Sequence, residues 1–288
     1  RLWDPDSEAC GRAKDFIATA LEDLEANDLL NGRKPAEVLA LIEASPTLEA
    51  ALANAQWVQE CGPEKIEEKR AIFARLDKAS DHNAILASSS SALLPSAISR
   101  DVGGKARCIV AHPINPPYLV PAVEVVPAPW TTPDVMKRAE AFMTSIGQVP
   151  LVMKKELDGF IMNRLQGALM EEAFRLVAHG YASADDVDRG IADGIALRWS
   201  FIGPFETIDL NAPGGIADYI DRYQPLYRGL FEQMRDRVDW GGEVLTDILK
   251  SRRARLPESD LGKRQIWRDR RLMRLRAHKR QVDTDLGQ

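Results

Sequence analysis

The sequence predicts an α/β chain. A doubly wound, parallel sheet occupies residues 1–156, and an all-helical region follows over 157–288. Three observations carry this. Short β-branched runs alternate with amphipathic stretches up to about residue 155. Beyond 156 helical periodicity continues and no convincing strand pattern appears. Residues 107–127 hold two apolar runs, Cys108 to Ala111 and Ala122 to Val126, which place a histidine, His112, and a glutamate, Glu124, in apolar surroundings.

Bulk composition narrows the function classes. At 288 residues the chain is long enough for two cores. A 45% hydrophobic and 28% charged composition is that of an ordinary globular protein. The net charge of −5 gives no reason to expect nucleic acid or an anionic membrane as partner. Cys10, Cys61 and Cys108 are too widely spaced for a metal knuckle or a disulfide framework, so no metal and a cytoplasmic location are expected. No run approaches the ~18 apolar residues of a membrane span.

Taken in order, residues 1–4 read as the end of a strand, and Ser7 to Asn27 as a helix with Ile17, Ala20, Leu21 and Leu24 on one face. Pro35 to Ile42 and Leu48 to Ala55 are shorter helical pieces. Trp57 to Cys61 is a strand stopped by Gly62-Pro63, and Pro63 opens a helix from Glu64 to Asp77. Ala84 to Ala87 is a strand running into four serines, and Leu94 to Ser99 a helical turn. The His112 and Glu124 strands follow. Thr132 caps a helix to Ser145 with Pro133 in its first turn, and Val149 to Met153 is the last strand. In the second region Gly159 to His179, Ala184 to Ala192, Gly215 to Met234, Gly242 to Ser251 and Leu261 to Lys279 read as helices, with Asp158 as the N-cap of the first.

The chemistry starts at His112. Pro113, Pro116 and Pro117 stiffen the loop after it. Glu124 is costly to bury unless paired, and the imidazole is its obvious partner. A histidine on a rigid loop, oriented by a buried carboxylate, is what a proton-transfer catalyst needs; a core histidine in a strand-end hydrogen bond is the plainer alternative. Ser88 to Ser91 follow a parallel strand at the end where open α/β sheets bind ligands, or form a polar turn. Asp4 closes a strand where an acid can hold an adenosine ribose and would repel a 2′-phosphate, or is a turn former. Asn163 projects toward a cleft or is an ordinary helical residue.

Several ordered motifs are similar to those of the 3-hydroxyacyl-CoA dehydrogenase family, within it to the lambda-crystallin and L-gulonate 3-dehydrogenase branch. They are Ala111-His112-Pro113-Ile114-Asn115-Pro116-Pro117-Tyr118, Gly159-Phe160-Ile161-Met162-Asn163-Arg164, Phe201 to Thr207, and Gln265-Ile266-Trp267-Arg268-Asp269. The resemblance implies a Rossmann-type NAD-binding domain over 1–156 and a helical substrate and dimerisation domain over 157–288. It implies Ser91, His112, Glu124 and Asn163 as the catalytic set and a homodimer through the helical domain. It also implies Asp4 on the adenosine ribose, and Cys61, Glu64 and Lys69 along the nicotinamide ribose. Ser91 and Asn115 would border both cofactor and substrate.

The same resemblance frames the substrate. Ala196 to Glu206 replaces a compact glycine-rich turn of the CoA-dependent branch, so a small hydroxy acid like L-gulonate is expected, with Arg198 pairing its carboxylate or serving a structural salt bridge. The alternatives are an acyl-CoA substrate and a non-catalytic, crystallin-like role. The family's first strand and glycine-rich phosphate loop are missing from this sequence, so roughly 25–30 further residues upstream are expected, the size of one strand–loop–helix unit. The tail 263–280 carries nine Lys and Arg interleaved with Ile266, Trp267, Leu272, Met273 and Leu275, and is expected as a docked amphipathic helix.

Overall fold

The structure is a computed structural model and describes residues 1–287. The chain divides into two compact units: Arg1–Asn163 with the residues from Lys263 onward, and Arg164–Gly262. The C-terminal helix, expected as part of the helical domain, therefore belongs with the sheet.

In the first unit the order is α1 (Ala9–Ala26), α2 (Pro35–Leu39), α3 (Leu48–Leu52), β1 (Trp57–Glu60), α4 (Ile66–Ala79), β2 (Ile85–Ser88), α5 (Pro95–Ser99), β3 (Cys108–Pro113), β4 (Ala122–Pro127), α6 (Pro133–Ser145) and β5 (Val149–Val152). The strands form one sheet in the order β1-β2-β3-β4-β5. β1–β2, β2–β3 and β4–β5 are parallel, but β3–β4 is antiparallel. The wholly parallel sheet expected from the alternation is thus corrected at one step. Residues 114–121 are too few for the crossover of about a dozen residues that a parallel return needs.

Strand residues alternate between two cores. Leu86, Cys108, Val110 and Val126 pack with Phe73, Leu76, Ile98 and Phe160 on one face. Ile85, Ala87, Ile109, Ala111, Val123 and Val125 pack with Val135, Ala139 and Met143 of α6 on the other. Both faces are covered, which is why these strands read as continuous apolar runs.

Other local expectations change. Residues 1–4 form no strand, only a bridge from Leu2 to Ala44. Pro63 lies outside α4, which begins at Ile66 after Lys65. Asp158 is not an N-cap, because Gly159 and Phe160 take φ of 76° and 47° and the next helix starts at Met162.

The second unit holds most of α7 (Met162–Ala178), then α8 (Ala184–Arg189), a π-helical segment (Gly190–Ile195), α9 (Ala196–Trp199), α10 (Pro204–Leu210), α11 (Gly215–Gln233) and α12 (Gly242–Arg255). Helix α13 (Leu261–Leu286) returns to the first unit. Among the described residues no helix is long and apolar enough to cross a membrane.

Candidate active site

The β3–β4 register sets His112 directly opposite Glu124. Cross-strand partners share a sheet face, so the two side chains meet where the ladder ends. Nδ1 of His112 lies 2.7 Å from Oε2 of Glu124, whose residue is fully buried. The other carboxylate oxygen, Oε1, accepts from the amides of Ile161 at 2.7 Å and Met162 at 2.8 Å. A carboxylate accepting from all three donors requires the Nδ1–H tautomer, which leaves the Nε2 lone pair to take a proton. His112 is itself 9% exposed.

Those two amides are presented by a strained turn. Phe160, completely buried 6.0 Å from the His112 ring, has a left-handed backbone. Such a conformation costs about 1–3 kcal/mol. Two hydrogen bonds to a charged acceptor contribute about 1.5–3 kcal/mol each, so the turn is held by the carboxylate it caps. Glu124 also sits at the positive end of α7, where an anion is favoured.

The four serines part company in the structure. Ser88 donates to Glu60 at 2.6 Å, Ser89 accepts from Gln59 at 2.7 Å, and Ser90 donates to Glu64. Only the hydroxyl of Ser91 has no hydrogen-bond partner among the described residues, and Ser91 is exposed. Its carbonyl accepts from Asn163 Nδ2 at 2.6 Å. The chain from His112 through Glu124 and the start of α7 to Asn163 and Ser91 is therefore continuous. Asn115 is exposed in the loop after His112, with a cis bond to Pro116.

On the β1 side, exposed Cys61 lies 3.2 Å from Ser89 Oγ. Glu64 accepts from Ser90 and from the amide of Ala92 at 3.1 Å. Burial acts to raise its pKa, but the Ser90, Ala92 and Leu93 hydrogen bonds and the Lys69 charge outweigh it and hold the carboxyl low. Lys69, expected along the ribose, is 1% exposed: its ammonium bonds both oxygens of Glu60 at 3.0 Å and the Gly62 carbonyl at 3.1 Å. Its nearest charge beyond Glu60 is Glu64, 3.7 Å away. Asp4 is exposed, with Oδ1 accepting from Asp6 N at 2.8 Å. Arg198 is exposed on α9 in the second unit, near enough to Tyr219 to act on its phenol by charge.

Sequence reasoning missed Glu60 and the Ile161 and Met162 amides. Glu60, an acid ending a strand that also carries Trp57 and Val58, was open to the same argument that singled out Glu124. Left-handed turns at non-glycine positions give no such signal.

The residues present fit a nicotinamide cofactor. The carboxyl ends of β1, β2 and β3 gather Gln59, Cys61, Ser89, Ser91 and His112, a polar rim at the end where open α/β sheets bind nucleotides. Comparisons with known proteins agree. Residues 1–157 match the 3-hydroxyacyl-CoA dehydrogenase NAD-binding domain and residues 159–257 the C-terminal domain of the same family.

The chain belongs to the 3-hydroxyacyl-CoA dehydrogenase family.

It is an NAD-dependent oxidoreductase acting on CH–OH, in a family that handles 3-hydroxyacyl-CoA and hydroxy-acid substrates. It is 40% identical over 285 residues to the lambda-crystallin homolog of Rattus norvegicus, covering 98% of this chain and 89% of the rat protein. It is 39% identical over 224 residues to L-carnitine dehydrogenase of Streptomyces griseus, covering 77% of this chain and 66% of that enzyme. The solved structure of 5-formyl-3-hydroxy-2-methylpyridine 4-carboxylic acid 5-dehydrogenase, an NAD-dependent dismutase, shares the fold: TM-score 0.79 at 23% identity, over 98% of this chain and 89% of that one.

Proposed function

We propose that this dehydrogenase oxidises the 3-hydroxyl of a small, L-gulonate-like hydroxy acid to the 3-keto acid, with His112 as general base. The observation that carries the reading is the buried His112–Glu124 pair, 2.7 Å apart, whose carboxylate is saturated by the Ile161 and Met162 amides. Bound NAD supplies the hydride acceptor. His112 Nε2 takes the hydroxyl proton as the C3–H electron pair leaves and the C3–O bond becomes a carbonyl. Glu124 keeps the tautomer and stabilises the imidazolium that forms. Ser91, through its uncommitted hydroxyl, and Asn163 donate to the substrate oxygen as it becomes a carbonyl. Asp4, Cys61, Glu64, Ser91 and Asn115 are proposed to line the cofactor, with Asn115 also bordering the substrate. Arg198 is proposed to pair with the substrate carboxylate, supported by its exposed guanidinium.

A homodimer through the helical unit and a cytoplasmic location belong to the same proposal. The first rests on the apolar stripe of α11, where Ile216, Ile220, Tyr223, Tyr227, Leu230 and Phe231 are all substantially exposed. The second rests on three unpaired cysteines, one of them exposed.

The test is NADH formation by the full-length protein with L-gulonate, L-carnitine and 3-hydroxybutyryl-CoA in parallel, repeated with His112→Ala. Turnover with L-gulonate that falls roughly 10²–10⁴-fold in the variant is expected. Preference for the acyl-CoA overturns the substrate; full activity of His112→Ala overturns the mechanism.

A further inference from the structure

Two stretches among the most family-like in this sequence, Ala111–Tyr118 and Gln265–Asp269, lie far apart along the chain, and the reaction as described uses only the first. The fold joins them. The Tyr118 phenol donates to Asp269 Oδ2 at 3.1 Å across 151 positions, and Arg276 Nη1 donates to the Tyr118 carbonyl at 2.7 Å. Asp269 is steadied on its other oxygen by Arg268 at 2.7 Å. Burial first, then the bond to Asp269, pushes the Tyr118 phenol up to about 12, so it remains a donor throughout the neutral range.

Helix α13 is fastened in turn to α1. Arg270 pairs with Asp23 at 3.1 Å and Arg280 with Asp28 at 2.6 Å; Met273 is buried. Phe16 of α1 meets the Tyr118 ring edge-on, centroids 6.2 Å apart. The loop so gripped runs directly from His112 through Asn115 to Tyr118. On the same loop, Gln148 Nε2 donates to the Pro117 carbonyl at 3.3 Å.

We propose that α13 is a strap for this loop. Tyr118, Asp269 and Arg276 act as positioning residues that hold the segment carrying His112 and Asn115 against the hydroxy acid. The strap touches no reacting atom. It acts through the loop, on the geometry at Nε2 and at the Asn115 carboxamide, where a displacement well under 1 Å already slows a proton transfer. The inference rests on His112 being the base.

The experiment uses the full-length protein and five variants: His112→Ala, Tyr118→Phe, Asp269→Ala, the double variant Tyr118→Phe with Asp269→Ala, and Arg270→Ala. Each is assayed for kcat and KM with the hydroxy acid that the wild type turns over, for NADH affinity by fluorescence, and for Tm. Tyr118→Phe and Asp269→Ala are expected to lower kcat/KM for the hydroxy acid roughly tenfold, with NADH affinity and Tm near wild type. The double variant is expected to lose no more than either alone, because both delete one bond. Arg270→Ala, which loosens α13 from α1 without touching the loop, is expected to lower Tm and leave kcat. Should Tyr118→Phe and Asp269→Ala move only Tm, as Arg270→Ala does, α13 is merely docked and the strap is refuted. Full activity in His112→Ala would instead overturn the reading of the base, an outcome separate from the strap because it appears in a variant with the strap intact.

Discussion

At the residue scale the site turns on one carboxylate. Glu124 has no exposure and three donors, and removing its charge changes what His112 can do. In Glu124→Gln the amide can still accept from Ile161 and Met162, but only by turning its NH₂ toward Nδ1. The imidazole must then accept at Nδ1 and carry its proton on Nε2, the tautomer that cannot act as base. The variant is expected to stay folded, bind NADH, and lose ~10²–10⁴-fold in kcat; a kcat within a few-fold of wild type would show that the pair is structural. The serines illustrate what a sequence leaves open at this scale. The resemblance pointed to Ser91 but left the other three hydroxyls unassigned, and Glu60, Glu64 and Gln59 occupy them. The partners come from β1 and the turn after it, and no local pattern specifies them.

At the element scale, the turn after β2 is tied to the turn after β1 by Glu64, which accepts from Ser90 and from the Ala92 and Leu93 amides. Burial opposes the charge, and the hydrogen bonds with Lys69 outweigh it, so the folded pKa lies below the ordinary 4.5. A depressed carboxyl contributes stability that is fully present above the unfolded pKa and is lost as pH falls through the folded one. The Tm advantage of wild type over Glu64→Gln should therefore be constant from pH 7 down to about pH 5 and shrink below about pH 4.5. A gap that widens in acid would mean the sign is wrong. The β3–β4 hairpin argues the legibility of elements. Its two apolar runs were plain, and the spacing between His112 and Glu124 suggested their pairing. That the strands run antiparallel follows from the short loop between them, a constraint the alternation of helices and strands obscures.

At the scale of the whole molecule, the two units differ in how they close. The first buries apolar residues on both faces of its sheet. In the second, Arg175, Thr207 and Ala212 are the buried residues among those described, while large side chains along α11 stay substantially exposed. That exposed face is what the proposed homodimer would cover. Leu226→Glu, at a position 59% exposed beside Tyr223, is expected to shift sedimentation equilibrium toward monomer with secondary structure unchanged. A mass unchanged from that of the wild type would remove α11 from the proposed interface. The placement of α13 also belongs to this scale. Its apolar residues were expected to dock it as an amphipathic helix, yet Ile266, Trp267 and Leu275 are exposed and only Met273 is buried, so its ties to α1 and the His112 loop are mostly polar.

By itself the sequence determined the alternation of elements, the family, the NAD cofactor and the His112–Glu124 pairing. Each of these is written in local periodicity or in motifs whose residues lie within a few turns or strands of one another. Only the tertiary structure decided the direction of β4, the partners that occupy Ser88, Ser89 and Ser90, the burial of Lys69 on Glu60, and the grip of Asp269 on Tyr118. These depend on which groups distant in the chain are brought within hydrogen-bonding range. Packing sets that range, and no stretch of sequence encodes it alone.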